Sequence, residues 1–118
     1  MKRYLMVFPL VPEHVEEFKE LHKNCLSMEG YDGQPAAAMR SGLTENIVYV
    51  YKDLAIVYCE TEGDIQENLA KMNEDPVYQY FLAKEGPMML PAEPGMSQFV
   101  EKVFDAKQMV ENGKFDQF

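Results

Sequence analysis

The stretch that decides the fold is "ENIVYVYKDLAIVYCE", residues 45–60. Two runs rich in aromatic and β-branched residues flank Lys52-Asp53, a pattern that predicts an antiparallel hairpin. Strand side chains alternate between faces, so Ile47, Tyr49 and Tyr51 share one face and Val48 and Val50 the other. A sheet built this way is apolar on both sides, and the tyrosine side is too apolar to leave in water.

Outward from the hairpin, the rest of the chain supplies the cover. Upstream, "RYLMVFPLV" (3–11) reads as a buried strand, and "PEHVEEFKELHKNCLSM" (12–28) as a helix with Pro12 in its first turn. "EGYDGQ" (29–34) is turn-forming, and "PAAAMRSGL" (35–43) holds a short second helical stretch. Downstream, "EGDIQENLAKMNED" (62–75) offers Asp64 as N-cap with Glu67 three residues on. Ile65, Leu69 and Met72 follow on one helical face. Pro76 opens a further helical segment, "PVYQYFLAKEG" (76–86), with Gly86 placed to close it. "PMMLPAEPGMS" (87–97) reads as an irregular loop and "QFVEKVFD" (98–105) as a last strand. The tail, 106–118, reads as a frayed helix or a segment that docks on a partner. With no repeat or dividing linker, 1–118 is expected to form one domain.

The order β-α-β-β-α-β is that of the ferredoxin-like α+β fold. It predicts one antiparallel sheet with two helices on one face. A homodimer, in which two sheets pack face to face as an α+β barrel, would cover the other.

Charge narrows the partners. Eleven basic residues against 20 acidic give a formal charge of −9, which argues against nucleic acid and against anionic membrane surfaces. No stretch approaches the ~20 apolar residues of a membrane span. The basic-then-apolar opening is broken at Pro9 and Pro12-Glu13, with no small-residue cleavage site after it, so it is not expected to be a signal peptide. Cys25 and Cys59 fall on regular elements without metal-type spacing and read as reduced thiols, so a cytoplasmic protein is expected. Neutral small molecules and other proteins remain as partners.

The motifs of several chemistries are missing: a glycine-rich phosphate loop, G-x-S-x-G and H-E-x-x-H. His14 and His22 lie too far apart for one helix face to offer both to a metal, so no metal site is expected. The anomaly is His22. At ~100° per residue it shares the apolar stripe of Val15, Phe18, Cys25 and Leu26, while Glu16, Lys19, Glu20 and Lys23 point away. An imidazole there is either a hydrogen-bonded core group or a general acid or base lining a pocket between helix and sheet. Tyr78, Tyr80 and Phe81 crowd a short helix, and Met88-Met89 follows it; such residues serve core packing or a pocket wall.

In sequence order the chain resembles the L-rhamnose mutarotase family. "PEHVEEFKELH" resembles that family's helix carrying H-E-E-[YF]-x-x-x-H, and "NIVYVYKDLAIVYCE" its paired strands. "DPVYQYF" resembles its D-x-x-x-x-W-W stretch, and "SQFVEKVFD" its closing strand. The similarity runs from residue 3 to about 105, with extra residues between His22 and Asn46 and an unmatched tail. It implies a dimeric ferredoxin-like barrel that interconverts the anomers of a deoxy sugar without a cofactor, an isomerase of the racemase-epimerase class. His22 matches the family's catalytic histidine and Phe18 its pocket tyrosine, while Tyr80 and Phe81 stand at the two tryptophans. Phe18 has no hydroxyl, so the proton-transfer partner of His22 is sought in Tyr49, Tyr51, Tyr80 or a water. The expected site is therefore His22 as catalytic group, with Phe18, Tyr49, Tyr51, Tyr80, Phe81 and Met88 around the sugar. Two other classes fit the same residues: another small-ligand enzyme or binder on this barrel, such as a cofactor-free monooxygenase or isomerase, and a non-catalytic interaction domain.

Overall fold

The computed structural model describes residues 1–91 and 99–118. Strand β1 (Lys2–Pro9) leads through a 3-10 turn at Pro12–His14 into helix α1 (Val15–Lys23). A two-residue ribbon follows, β2 (Ser27–Met28) against β3 (Tyr31–Asp32), and then α2 (Gln34–Arg40). The long hairpin is β4 (Leu43–Tyr51) and β5 (Leu54–Thr61), joined by the two residues expected, Lys52-Asp53. Helices α3 (Ile65–Glu74) and α4 (Pro76–Glu85) come next, and α5 (Ala106–Asn112) lies in the tail.

β5 is the middle strand of three, antiparallel to β1 from Lys2↔Thr61 to Pro9↔Leu54 and to β4 from Leu43↔Thr61 to Tyr51↔Leu54. Beyond β1 the chain returns once more. Phe99 bridges Met6, and the Val100 N–H donates to the Leu5 carbonyl at 2.8 Å. The expected antiparallel sheet and α+β architecture are thus present, with the last strand of the β-α-β-β-α-β order marked among the described residues by the bridge at Phe99.

The register fixes the two faces. Tyr4, Met6 and Phe8 of β1, Val48 and Val50 of β4, and Ala55, Val57 and Cys59 of β5 point to the helices. Phe18 of α1, Ala38 of α2 and Ile65, Leu69 and Met72 of α3 pack on them. Phe18 and Phe81 are among the largest fully buried side chains, and burial of each contributes about 1.5–3 kcal/mol. On the opposite face Leu5, Tyr49 and Tyr51 stand 39%, 54% and 61% exposed, which is the uncovered tyrosine side anticipated from the alternation.

Several boundaries differ from expectation. The helix expected over 12–28 ends at Lys23; Asn24 caps it, and a turn with Glu29 at φ 52° and Gly30 at φ 82° folds 27–32 into the small ribbon. Paired left-handed residues are the geometry a two-residue hairpin turn needs. Asp64 caps α3 as anticipated, accepting from the N–H groups of Gln66 and Glu67 at 2.8 and 3.1 Å. Gly86 does not stop α4 in a left-handed turn, because at φ −50° it carries the chain into a 3-10 turn through Met88.

The last strand, expected over 98–105, shrinks within the described residues to the bridge at Phe99. Lys102 cannot extend it: its N–H donates to Gln117 Oε1 at 3.1 Å, and its carbonyl accepts from Gln117 Nε2 at 3.0 Å. The tail's own amide takes the main-chain groups a strand neighbour would use. Residues 92–97 of the irregular loop expected over 87–97, and Gln98 at the head of the expected strand, lie outside the described residues. Among the described residues no helix is long and apolar enough to cross a membrane.

Candidate active site

Small side chains on the inner face, Ala55, Val57 and Cys59, do not reach the helices everywhere. A cavity of about 520 Å³ remains between sheet and helices, within the size range of small-molecule sites. His22 and Glu85 share its wall with Phe18, Phe81, Gln34 and Asn46.

Helix α1 explains how His22 comes to face it. Phe18, one turn earlier on the same stripe, is 2% exposed and anchors the helix on the sheet. The His22 ring then lies 4.1 Å from the Phe18 ring and 5.1 Å from Phe81, nearly perpendicular to the latter. Its Nδ1 is 2.8 Å from the Phe18 carbonyl oxygen. A carbonyl only accepts, so Nδ1 carries hydrogen and the tautomer is set by the backbone. Nε2, the other nitrogen, lies 2.9 Å from Oε2 of Glu85. The two side chains are 17% and 11% exposed. Two electronegative atoms this close need a proton between them, on the imidazole or on the carboxyl.

Glu85 was not anticipated from the sequence, although a signal for it exists. In α4, Tyr78, Phe81, Leu82 and Glu85 recur at i, i+3, i+4 and i+7, so a carboxylate occupies an apolar stripe just as His22 does in α1. All four line the cavity. Burial, with the charge of Glu85 nearby, pushes the Tyr78 hydroxyl up to about 12. Burial likewise raises the Cys25 thiol, and Glu85 adds to it; that thiol donates to the His22 carbonyl at 3.1 Å. Across the cavity Gln34 Nε2 donates to Asn46 Oδ1 at 3.1 Å, and Asn46 Nδ2 to Cys59 Sγ at 3.4 Å.

The structure brings together three of the seven residues the sequence nominated: His22, Phe18 and Phe81. Tyr49 and Tyr51 lie on the outer sheet face, away from this cavity, because the register sends Val48 and Val50 inward. Tyr80 is 38% exposed on the far side of α4, where its hydroxyl donates to Glu29 at 2.9 Å under the Lys84 ammonium. Met88 packs beside Leu10, Phe18 and Ala55, and its neighbour Met89 reaches the cavity instead. Tyr78, singled out in the sequence as core or pocket wall, lines the cavity, and Gln34, Asn46 and Glu85 are among the wall residues sequence reasoning missed.

A second hollow of about 570 Å³ lies at the β1 edge, among Tyr4, Leu5, Tyr58, Phe99 and Phe118. Lys102 there is paired with Asp105 at 2.6 Å, and the hollow holds no imidazole. Among the described residues no three His, Cys, Asp or Glu side chains are placed to hold a metal ion.

With this geometry in hand, the comparisons place the fold. In three dimensions the chain is similar to an L-rhamnose mutarotase from Formosa agariphila, with a TM-score of 0.62 at 15% identity over 89% of this chain and 98% of that one. It is also similar to tetracenomycin F2 cyclase from Streptomyces glaucescens, a type-II polyketide cyclase, with a TM-score of 0.60 at 19% identity over 89% and 96%. The fold is ferredoxin-like α+β, shared with enzymes that process small molecules. No protein-family model matches the chain, and no curated protein matches it in sequence.

Proposed function

We propose that this chain is a mutarotase-like isomerase, interconverting the anomers of L-rhamnose or a related deoxy sugar by proton transfer through His22. One observation carries the reading: an imidazole whose Nδ1 is tied to the backbone presents Nε2 at the wall of a cavity large enough for a monosaccharide. A satisfied core histidine needs no such hollow beside it. Opening a pyranose requires removal of the anomeric hydroxyl proton and delivery of one to the ring oxygen. The open aldehyde then turns about its C1–C2 bond and recloses on the other face. These are proton transfers only, the work an imidazole does near neutral pH, and they call for no cofactor. Phe18 and Phe81, which the sequence reading placed around the sugar, pack against the His22 ring in the same cavity wall and hold it there. The structural likeness to a rhamnose mutarotase supports the reading at the level of fold.

The apolar outer sheet face, with Leu5, Tyr49 and Tyr51 exposed, supports the accompanying proposal of a homodimer joined through that face. A second reading follows from the cavity's largely aromatic and aliphatic wall, including Phe8, Val57 and Met89. It is cofactor-free proton transfer on an aromatic or polyketide-like ligand, in keeping with the likeness to a polyketide cyclase. NMR saturation exchange between sugar anomers separates the two. Faster interconversion with protein, lost in a folded His22→Ala variant, supports the mutarotase reading. Tight binding of polycyclic aromatics with no anomer effect across a sugar panel selects the other.

A further inference from the structure

We infer that Glu85 is the second proton carrier of this site, working with His22 as a dyad that exchanges two protons with the substrate while its own net charge stays constant. The inference rests on the acid/base reading above and supplies the partner that reading requires.

The argument starts from the number of proton positions. Opening a hemiacetal takes a proton from one oxygen and gives one to another, so an acid and a base must serve the same turnover. His22 cannot be both at once. Nδ1–H is committed to the Phe18 carbonyl, so only Nε2 can exchange a proton. The hydroxyl that might have helped one turn earlier is absent, since residue 18 is phenylalanine. Tyr49 and Tyr51 lie on the outer face, and the Tyr80 hydroxyl is engaged by Glu29. Tyr78 reaches the cavity, but burial holds its hydroxyl protonated far above neutral pH, which disqualifies it as a base. Glu85 remains, 2.9 Å from Nε2 and itself only 9% exposed as a residue.

Its chemistry closes the cycle. In the charged arrangement, Nε2–H faces Oε2 of the carboxylate, and Oε1 is left for the substrate. Oε1 accepts the anomeric hydroxyl proton, and that O–H pair becomes the C1=O π bond. The C1–O5 bond breaks, its electrons stay on O5, and Nε2 delivers its proton there. The products are an open hydroxy-aldehyde, a neutral imidazole and a neutral carboxylic acid. Reclosure runs the same steps backward: the acid returns its proton to the carbonyl oxygen as O5 attacks C1, and Nε2 recovers the proton of O5. No net charge enters or leaves a poorly solvated site at any stage, where an isolated ion would be costly.

Two measurements test the assignment. With ¹⁵N-labelled histidine, the wild type is expected to keep Nδ1 protonated while Nε2 exchanges its proton, and Glu85→Gln to shift the Nε2 resonance and leave Nδ1 in place. An Nε2 resonance unmoved by Glu85→Gln overturns the dyad whether or not any sugar is turned over. In the anomer-exchange assay, Glu85→Gln is expected to lower the catalysed rate by about 10²-fold or more. Saturation-transfer binding of the same sugar should change less than about threefold, and Glu85→Asp should restore part of the rate. A folded Glu85→Gln variant that keeps the wild-type rate makes Glu85 structural and overturns the inference. If the wild type accelerates no sugar, the mutarotase reading fails and the ¹⁵N result alone decides the dyad.

Discussion

A buried acid/base pair retained for chemistry should be a liability to the fold, and a double-mutant cycle on His22 and Glu85 measures that liability. Breaking a buried ion pair from one side typically costs about 3–5 kcal/mol, because the survivor stays in a poorly solvated place. Here the side chains keep 17% and 11% of their surface, and the cavity lets water reach them. We therefore expect Glu85→Leu or His22→Leu alone to cost about 2–3 kcal/mol, below that range. For a chain of this length that is a fall in Tm of roughly 6–15 °C. The double variant removes both polar groups and adds apolar side chains beside Phe18 and Phe81, and it should lie within about 1 kcal/mol of the wild type or above it. The coupling is then at least about 3 kcal/mol, against the roughly 0.5 kcal/mol within which independent sites add. Urea unfolding followed by circular dichroism gives all four corners, and anomer exchange should be lost in all three variants. Losses that simply add would show that the two groups do not interact in solution, and the dyad would fall with that result.

Asp75 caps α4 by accepting from the Val77 N–H at 2.9 Å and is held by both Nε and Nη2 of Arg40, at 2.8 and 3.2 Å. The Arg40 guanidinium holds its carboxyl below the usual range, so this stabilisation is full above the unfolded value of about 3.9 and is lost as pH falls through the folded one. Asp75→Asn keeps the cap and should cost only about 0.5–1 kcal/mol at pH 7, since Arg40 is half exposed. The variant should flatten the acid limb of a stability–pH curve, and an unchanged limb would refute the assignment. For the homodimer proposed above, the wild type should sediment as a dimer and Tyr49→Ser/Tyr51→Ser toward the monomer while His22 resonances stay in place; a monomeric wild type would overturn that proposal, and an unchanged dimer in the variant would remove those tyrosines from its interface. Burial raises both the Cys25 and Cys59 thiols, which keeps them out of the reactive thiolate form. A disulfide-exchange reagent should modify them at the rate of unfolding, and fast reaction with the native protein would contradict their burial.

The strand–helix order was legible because its signals are local: the alternating hairpin, the Asp64 cap and the Pro76 restart each need only a few neighbours. The sequence reading set the tyrosine face apart as the one a partner would cover, yet it also nominated Tyr49 and Tyr51 for the pocket, and one face of a strand cannot serve both. Packing of Val48 and Val50 against Phe18 and Leu10, partners far away in sequence, decides it and leaves those two proposed site residues on the outer face. The fate of the last strand was hidden for a similar reason, because Gln117, fifteen residues on, competes for the Lys102 backbone. His22 was visible as a polar residue in an apolar stripe. Glu85 broke the same rule in α4, but in that helix the sequence reading weighed only the aromatic residues Tyr78, Tyr80 and Phe81.

These two exceptions explain each other. A lone imidazole or a lone carboxylate in an aromatic pocket would be an unpaired charge or an unsatisfied polar group. Placed 2.9 Å apart, they satisfy one another with a single shared proton, whichever atom holds it. The chain's net charge of −9 disfavours an anionic ligand at long range, and a dyad of zero net charge offers no fixed cation to hold one at short range. A neutral polyol, which needs hydrogen-bonding groups and proton transfer but no counter-ion, is the ligand class consistent with both. Glucose 6-phosphate or another sugar phosphate should accordingly bind far more weakly than the free deoxy sugar, with the gap widening as salt is lowered. Equal binding of the two would show that the cavity field does not act as argued.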